Sequence, residues 1–440
     1  MSTSTTAVKQ PRPPIPVSFH YGWLIIGVTF FASLNGAGIR AVPAVLINPL
    51  EADFGWSRTE IASAVAINLF LYGAVSPFVG WLLDKFGPRR VMLTSLITIS
   101  VGLAGTTFVT ELWQFLLLWG VVVGLGSGGM SGVLSASVAT RWFIGRKGIV
   151  LGFLNSGSST GQIIFIPLMM AIIVFAGWRV GSYVLVAITS SCVFLVWFFM
   201  RDDPSEVGLE PYNEGPGATT AANAGETNKA AVTAEPVMGI LDAIKTPTFW
   251  LLCGVFFVCG GTANGLIGTH LIPYTLDRGF DPTAAAATVG IMGGMNFVGT
   301  LFSGWLTDRV DSRKLLAVVF AFRGGALFFL PFVEGIGGLT VFAVIYGLDW
   351  FATVPPVVTL AGRTFGKQSI GRIYGWIFLA HQVGGAAMAL GGGMVFSYFG
   401  DYEMAFFVGG FMGLLAAGFA MSIRPKPELR PPMAPAPAAA

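Results

Sequence analysis

The chain has 440 residues, of which 54% are hydrophobic and only 11% are charged, and its formal net charge is +3. Soluble domains carry roughly 25% charged residues, so this composition excludes a water-soluble enzyme and predicts a protein that lies in lipid. The small net charge, without a basic domain, argues against a nucleic-acid partner. The apolar runs are about twice as long as the alternating segments of an outer-membrane barrel, which favours helices.

In chain order, residues 1–17 are polar and proline-rich and contain no apolar signal segment, so we expect the first transmembrane helix to direct insertion. Twelve apolar runs follow, each close to the roughly 20 residues that a helix needs to cross the bilayer core. The predicted spans are residues 23–47, 61–83, 91–109, 113–139, 149–175, 180–200, 249–272, 284–306, 315–333, 339–360, 373–399 and 404–423.

A polar segment separates the sixth span from the seventh. It is rich in Ala, Gly, Thr, Asn and Glu and has almost no large apolar residues, which predicts a flexible cytoplasmic linker at residues 202–246. The linker divides the chain into an N-terminal half (21–201) and a C-terminal half (247–424). A cytoplasmic tail (1–20) precedes these halves, and a disordered Pro/Ala-rich tail (425–440) follows them.

The Lys and Arg residues indicate the orientation. Of the 25 cations, 20 lie on the side of the tails and linker and three, Arg58, Arg179 and Arg278, lie on the other side. Because cations favour cytoplasmic loops, we expect a multi-pass protein of the inner (plasma) membrane with both termini in the cytoplasm. The remaining two, Arg40 and Arg323, lie inside spans.

The two halves repeat one another. The sequence GWLLDK at residues 80–85, after the second span, returns as GWLTDR at residues 304–309, after the eighth. The triplet RWF at 141–143 is likewise echoed by RTF at 363–365. Repeated halves around a central site are typical of secondary transporters. We therefore predict an all-α integral membrane fold with twelve transmembrane helices in two pseudo-symmetric six-helix halves.

These repeated residues also carry a family resemblance. Gly80, Asp84, Gly87, Arg89 and Arg90 resemble the loop motif of the major facilitator superfamily, and the second copy has Gly304, Asp308, Arg313 and Lys314. Within the superfamily, residues 21–23 (YGW), 54–57 (FGWS) and 141–148 are similar to the bacterial monocarboxylate-transporter-like and oxalate/formate-antiporter-like branch. The resemblance implies the major facilitator fold and alternating access, without a cofactor.

The chain also departs from those relatives. It has Asn296 and Thr300 where eukaryotic monocarboxylate carriers have an Asp and an Arg in the eighth span. It has His381 in the eleventh span, where the oxalate exchanger has a Lys. The identity of the solute therefore stays open.

Arg40 is the first candidate for solute binding. Counted from the start of the first span, it is predicted to lie deep in the membrane but nearer the external side. A guanidinium stays charged and offers a fork of donors that suits a carboxylate. The alternative is an arginine that reaches up to the external interface.

Asp349 and His381 are candidates for proton coupling, because both are predicted near the bilayer midplane. An ionised side chain there is costly unless it has a permanent cation or takes a proton. Neither Arg40 nor Arg323 is an assured partner of Asp349 from the sequence, so we expect protonation. The alternatives are a buried polar pair that locks two helices together, or an Asp–Arg pair without transport chemistry.

Neutral polar groups on the cavity-type spans are expected to complete the substrate site together with Arg40 and His381. The alternative for each is a hydrogen bond between helices, worth about 0.6 kcal/mol on average. The candidates are Asn35, Tyr72, Asn155 and Asn264.

The loop motif is predicted to act as a gate. In this interpretation the glycine lets two helices approach, and Asp84 pairs with Arg141 or Arg89 to latch one conformation. Positive charge that only sets the topology would leave the glycine and the aspartate unexplained. The gating residues are Gly80, Asp84, Arg89 and Arg141, with Gly304 and Asp308 in the second copy.

Together these features predict a secondary-active transporter of small organic anions, with monocarboxylates preferred, coupled to protons or to a counter-anion. The alternatives are the same fold carrying a neutral or cationic metabolite, a membrane enzyme, or a channel. The sequence has no metal-ligand spacing or catalytic cluster, and no metal or cofactor is expected. We expect a monomer in the lipid bilayer.

Overall fold

The computed structural model describes residues 19–144, 146–213, 238–366 and 369–424. In these ranges the regular structure is helical, and an isolated β-bridge joins Phe143 to Tyr212. The two predicted tails and the centre of the predicted linker, residues 214–237, lie outside the described residues.

Eleven helical segments in the described ranges, called rods below, are long and apolar enough to cross a membrane. With the short helix that continues the first rod, they are α1 (Gly22–Ala41), α2 (Pro43–Phe54), α3 (Arg58–Thr106), α4 (Leu112–Trp142), α5 (Lys147–Ala176), α6 (Trp178–Phe199), α7 (Pro247–Asp277), α8 (Pro282–Thr307), α9 (Ser312–Phe332), α10 (Ile336–Phe365), α11 (Ile370–Phe399) and α12 (Glu403–Ser422).

The rods make twelve crossings because α3 crosses twice. Its 49 residues include Gly87, whose φ of 79° and ψ of 156° reverse the chain between the second crossing and the third. The first crossing is made by α1 and α2 together. The predicted fold class, an all-α membrane protein of twelve helices, is confirmed.

The first crossing is longer than the sequence predicts. The predicted span ends at residue 47, but α2 follows α1 through Val42, whose φ of −60° and ψ of −32° are helical, and continues to Phe54. Pro43 stands at the first position of α2, where its missing N–H costs nothing and its fixed φ suits a helix. The consequence is that Arg40 lies near the middle of the crossing.

Two faces of the bundle are used below. The linker face carries His20, the bend at Gly87 and residues 201–213, and the distal face carries the opposite helix ends, such as Gly55 and Tyr402. Helix starts are capped at the distal face. Ser57 and Glu60 form a capping box on α3, and Asp281 accepts from the backbone N–H of Thr283 on α8. Hydrogen bonds from Thr283 lower the pKa of Asp281, so it stays a charged cap.

The fourth and tenth crossings are both interrupted near their middle. Helix α4 breaks between Gly128 and Gly132, and α10 breaks between Asp349 and Val354. These are matching positions of the two repeated halves. A broken helix inside a membrane leaves backbone groups without helical partners, so such breaks occur where the protein itself supplies partners or lines a cavity.

The two halves pack along α3 with α11 and along α5 with α8. A Cβ at Gly73 would lie 2.5 Å from the Cβ of Gln382, and a Cβ at Gly293 would lie 2.3 Å from Cγ1 of Ile163. Inside the C-terminal half, a Cβ at Gly384 would lie 1.9 Å from the carbonyl oxygen of Phe257. Small residues therefore bring these backbones close together, as in other membrane bundles.

The predicted flexible linker is wrong for its first part. Residues 201–213 are folded against the linker face, with a 3-10 turn at Pro204–Val207 and the bridge at Tyr212. Val207 is 2% exposed, and Tyr212 packs on the ring of Phe143 with the centroids 5.5 Å apart. These apolar side chains anchor a segment whose average composition is polar.

Candidate anion site and gates

Arg40 lies at the middle depth of the bundle, not near the distal face. It is the 19th of the 33 residues from Gly22 to Phe54. Its guanidinium carbon lies 4.4 Å from the ring centroid of Tyr72. Tyr72 is the 15th of the 30 residues from Arg58 to the bend at Gly87, so the two helices agree on the depth. Arg40 therefore does not reach up to the distal interface.

The guanidinium of Arg40 has unused binding capacity. Its Nη1 is buried without a hydrogen-bond partner, and Arg40 makes no ion pair among the described residues. The same Nη1 lies 3.7 Å from the Cβ position of Gly36, which is 3.5 Å from Met130 in the break of α4. A buried donor without a partner is costly, so this position favours an acceptor from outside the protein.

The aromatic ring of Tyr72 packs against this guanidinium. Its side chain is 7% exposed, and its ring packs edge to face on Phe378 of α11, with the centroids 5.6 Å apart. A cation over an aromatic face is stabilised without being neutralised. Tyr72 thus supports Arg40 and leaves its charge available.

The other predicted substrate residues are spread over the bundle. Asn35 is buried and donates from Nδ2 to Oγ1 of Thr189 at 3.2 Å, which joins α1 to α6. The contact of Asn35 in this structure is therefore a hydrogen bond between helices, the alternative stated for these residues. Asn155 is exposed, and its Oδ1 lies 4.0 Å from the Cβ position of Gly132 in the break of α4. Asn264 lies in the π-helical segment Gly261–Ile267 of α7 and is half-buried.

Asp349 has a permanent cation. Nε of Arg323 lies 2.6 Å from Oδ2 of Asp349, and the two side chains are 0% and 5% exposed. The expectation that Asp349 lacks a cation is wrong, because α9 turns Arg323 toward α10 rather than toward lipid. The role of Asp349 in proton coupling stays a prediction. The alternative of an Asp–Arg pair describes the arrangement better.

Arg323 also closes the break in α10. Its Nη2 donates to the carbonyl oxygens of Asp349 and Trp350 at 2.8 and 2.9 Å, and its Nη1 donates to Thr262 at 3.3 Å. A cation at a helix C-terminus satisfies free carbonyls and the dipole together.

Two side chains of α8 bind the same break. Asn296 accepts the N–H of Phe351 at 3.1 Å, and Ser303 donates to the carbonyl of Ala352. The two positions that differ from the monocarboxylate carriers are also joined here, since Thr300 donates to Asn296 at 3.2 Å. In this chain Asn296 and Thr300 therefore shape α10.

His381 is packed among aromatic rings. It is 2% exposed, stacks on Phe378 with the centroids 5.6 Å apart, and lies 5.0 Å from the ring of Phe256. Its Nδ1 is 3.3 Å from Nε2 of Gln382. His381 makes no hydrogen bond to Asp349 among the described residues, so the expected shared proton has no path of direct contact.

A cluster of charges closes the distal face across the two halves. Arg58 donates from Nε to Glu51 at 2.9 Å, from both terminal nitrogens to Asp277, and from Nη1 to the hydroxyl of Tyr402 at 3.2 Å. We call Arg58, Glu51, Asp277 and Tyr402 the distal clasp. Burial raises the pKa of the Tyr402 hydroxyl, which keeps it neutral.

The distal clasp was missed in the sequence, where Arg58 counts only as one of three external cations. Arg58 and Glu51 belong to the first half, and Asp277 and Tyr402 to the second. Beside them, the hydroxyls of Thr59 and Ser397 are 2.9 Å apart. The sequence did contain a signal for it, because Arg58 is one of few cations on a side where Glu51 and Asp277 end helices. The structure is therefore a distal-closed conformation.

The gate predicted at the linker face is not engaged in this conformation. Asp84 and Asp308 are exposed and make no ion pair among the described residues. Arg141 pairs instead with Asp203, and the backbone N–H of Arg89 donates to Asp202.

The two gate glycines also behave differently from expectation. A Cβ at Gly80 or at Gly304 would meet nothing within 4 Å, so neither permits a close helix contact here. Near the Gly87 bend of α3 and at the linker-face end of α8, the helices are not packed at these positions in the distal-closed conformation.

No group of three or more His, Cys, Asp or Glu side chains in the described residues is placed to hold a metal ion. The polar groups of the interior instead form an arginine on an aromatic ring, a buried ion pair and hydrogen bonds between helices. A bundle of twelve crossings with repeated halves, two broken helices and a gate across the halves defines a membrane transporter.

Comparison with known proteins identifies the family. The family model described as Major Facilitator Superfamily matches residues 25–389, and the chain belongs to this superfamily. It is thus a multi-pass membrane transporter and not an enzyme.

Individual relatives are distant but span the whole chain. The chain is 24% identical to monocarboxylate transporter 12-B of Danio rerio, over 92% of this chain and 87% of that protein. It is 23% identical to the oxalate:formate antiporter of Oxalobacter formigenes, over 92% of this chain and 91% of that protein. The crystal structure of a D-xylose-proton symporter superposes with a TM-score of 0.70 at 15% identity, covering 92% of this chain and 98% of that one.

Proposed function

We propose that this transporter carries small, singly charged organic anions of the carboxylate type and that Arg40 binds the anionic group. The observation that carries the proposal is the buried, unpartnered Nη1 of a mid-depth arginine. A guanidinium in this position offers the paired donors that a carboxylate accepts. The similarity to a monocarboxylate transporter and to an oxalate:formate antiporter supports the same chemical class.

The balance of charge supports a single negative charge on the solute. Of Arg40, Arg58 and Arg323, Arg323 is neutralised by Asp349, and the charge of Arg58 is more than balanced at the distal face by Asp277 and Glu51. Arg40 is then left as one positive charge in the interior of the described chain. A monoanion neutralises it, whereas a dianion brings one uncompensated negative charge into the membrane.

The same balance favours anion exchange over proton symport. With the anion bound, the site is neutral and can reorient. Without it, the two halves must close around Arg40 as an unpaired charge, which costs at least about 2.5 to 3.5 kcal/mol on insertion scales. A penalty of that size slows the return of the empty carrier by roughly 100-fold, so a second anion on the other side accelerates the cycle.

The substrate site proposed around Arg40 includes Tyr72, with Asn155 and Asn264 as further polar groups at the break of α4 and the π segment of α7. Asn35 is left out because Thr189 occupies its amide. His381 is included as a residue that lines the site indirectly, because Phe378 contacts both His381 and Tyr72.

The orientation follows from the cation distribution. With 20 of 25 Lys and Arg residues on its side, we propose that the linker face is cytoplasmic in a plasma membrane. The distal clasp is then the extracellular gate.

The test uses purified protein in proteoliposomes and a panel of labelled solutes: lactate as a monoanion, oxalate as a dianion and glycerol as a neutral solute. We expect exchange of lactate with lactate, weaker exchange of oxalate and none of glycerol. Arg40→Lys should keep weak exchange, and Arg40→Gln should lose lactate binding.

Arg179→Gln is the matched control, because Arg179 is an exposed distal arginine paired with Asp53. It should leave the lactate affinity unchanged. Normal lactate affinity in Arg40→Gln removes Arg40 from the site. Saturable glycerol transport without anion transport favours the alternative of a neutral solute.

A further inference from the structure

The first residues after α6 form a strap across the linker face. The strap, residues 201–213, touches the ends of three crossings. Asp202 accepts the backbone N–H of Arg89 at 2.6 Å, at the start of the third crossing. Asp203 pairs with Arg141 at 3.3 Å, at the end of α4. The carbonyl of Glu210 contacts Nε2 of His20 at 3.0 Å, just before α1.

The backbone of the strap is also fixed. Tyr212 donates its N–H to the carbonyl of Trp142 and accepts from the N–H of Ile144, both at 2.9 Å. Its ring completes an aromatic cluster with Trp23 and Phe143. The strap is thus held at both ends. Asp202 binds the backbone of the loop motif at Arg89, and Asp203 binds the guanidinium of Arg141 at the end of α4.

Gly87 shows that the loop motif is shaped to receive the strap. A Cβ at Gly87 would lie 2.5 Å from Oδ2 of Asp202, and its φ of 79° is one that other residues rarely adopt. The glycine of the motif therefore makes room for a carboxylate from a different part of the chain.

Arg141 lies between two possible partners. While Nη1 pairs with Asp203, Nη2 donates to the carbonyl of Leu83 at 3.3 Å. Leu83 directly precedes Asp84, whose carboxylate is exposed and has no partner among the described residues. The contact with the Leu83 carbonyl therefore places Arg141 beside the segment that carries Asp84.

We propose that Asp203 of the strap and Asp84 of the loop motif compete for Arg141 and so set the balance between the two conformations of the carrier. Asp203 holds Arg141 in the distal-closed conformation. Asp84 takes Arg141 when the linker face closes and the distal clasp opens. Asp203 is a positioning residue that acts through Arg141, and this role is independent of which solute is carried.

The test measures the distal-closed population directly. The hydroxyls of Thr59 and Ser397 are 2.9 Å apart across the halves, so Thr59→Cys with Ser397→Cys should form a disulfide under mild oxidation only when the distal face is closed. The native thiols Cys192, Cys253 and Cys259 are buried and free, which keeps the background low.

In this reporter background, Asp203→Asn should slow cross-linking by about two- to fivefold, the range expected for a partly exposed ion pair. Asp84→Asn should speed it, because the competing conformation loses its latch. The double variant should return toward the parent rate. Glu206→Gln, at an exposed glutamate in the same strap, is the control and should change nothing.

Two results overturn the proposal. One is a cross-linking rate that changes in the same direction in Asp203→Asn and Asp84→Asn. The other is an unchanged rate in Asp203→Asn, whether or not its thermal unfolding temperature matches that of the parent. A lower unfolding temperature in Asp203→Asn with no change in cross-linking rate shows that the strap only stabilises the fold. It also contradicts the competition between Asp203 and Asp84 for Arg141. None of these readouts uses a solute, so they are separate from a failure of the anion-transport proposal.

Discussion

At the scale of single residues, the interior contains two arginines with opposite roles. Arg323 has a carboxylate, two carbonyls and a hydroxyl as partners, whereas Arg40 has the face of Tyr72 and a free Nη1. The first arrangement consumes the charge to stabilise a broken helix. The second leaves the charge available for a ligand.

Breaking the buried pair should unfold the C-terminal half. Arg323→Ala or Asp349→Ala leaves one uncompensated buried charge, which costs about 3 to 5 kcal/mol. The double change Arg323→Met with Asp349→Leu removes both charges and should cost less than either single change. Thermal unfolding of the three variants in detergent compares them. A single variant as stable as the parent contradicts this prediction.

Tyr72 is predicted to support Arg40 through its aromatic ring and not through its hydroxyl. Tyr72→Phe keeps the aromatic face and should keep solute affinity, whereas Tyr72→Leu should weaken it by roughly three- to tenfold, as expected for loss of a cation–π contact. The measurement is the KM for exchange in proteoliposomes. Equal KM values for the two variants show that the ring does not position Arg40.

At the scale of elements, the breaks and the strap depend on side chains that come from other helices. The break of α10 is held from α8 and α9 by Ser303, Asn296 and Arg323. The strap is held by the glycine bend of α3. In both places an irregular backbone is stable because a distant residue completes its hydrogen bonds.

Gly87→Ala should release the strap. The added Cβ meets Asp202 and strains the positive φ by about 1 to 2 kcal/mol. Trypsin should then cut faster after Arg201, which lies at the start of the strap. Gly152→Ala is the matched control, since a Cβ there meets nothing within 4 Å. Equal cutting rates for both variants contradict the prediction that Asp202 packs against Gly87.

The elements and the loop motif could be predicted from the sequence, and the contacts between helices could not. Hydrophobic runs give the number of crossings, and repeated residues give the family. The pairing of Arg323 with Asp349 depends on how α9 and α10 are rotated about their axes, which a single sequence does not reveal. Arg40 was predicted too near the distal side because Asn48, Pro49, Glu51 and Asp53 hide the continuation of the first crossing to Phe54.

At the scale of the whole molecule, the two halves meet through the distal clasp while the loop-motif aspartates of both halves stay exposed. Arg58 is the only clasp cation among the described partners, and its side chain is 5% exposed. Removing it leaves Asp277 and Glu51 facing each other across the halves. The distal face should then open.

Arg58→Gln should therefore shift the population away from the distal-closed conformation. We expect slower disulfide formation between Thr59→Cys and Ser397→Cys, with solute affinity changed only a few fold because the binding contacts stay intact. Arg278→Gln, which removes an ion pair to Glu403 inside one half, is the control. An unchanged cross-linking rate in Arg58→Gln contradicts the role of the clasp as a gate.

The single uncompensated charge of Arg40 is tested most directly by comparing exchange with net flux. Proteoliposomes loaded with labelled lactate are diluted into buffer with or without unlabelled lactate, at equal pH and with an imposed pH gradient. We predict that external lactate accelerates efflux by roughly 100-fold and that the pH gradient does not drive uphill accumulation. Efflux that is equally fast without external anion, or uphill uptake driven by protons alone, would contradict anion exchange at Arg40.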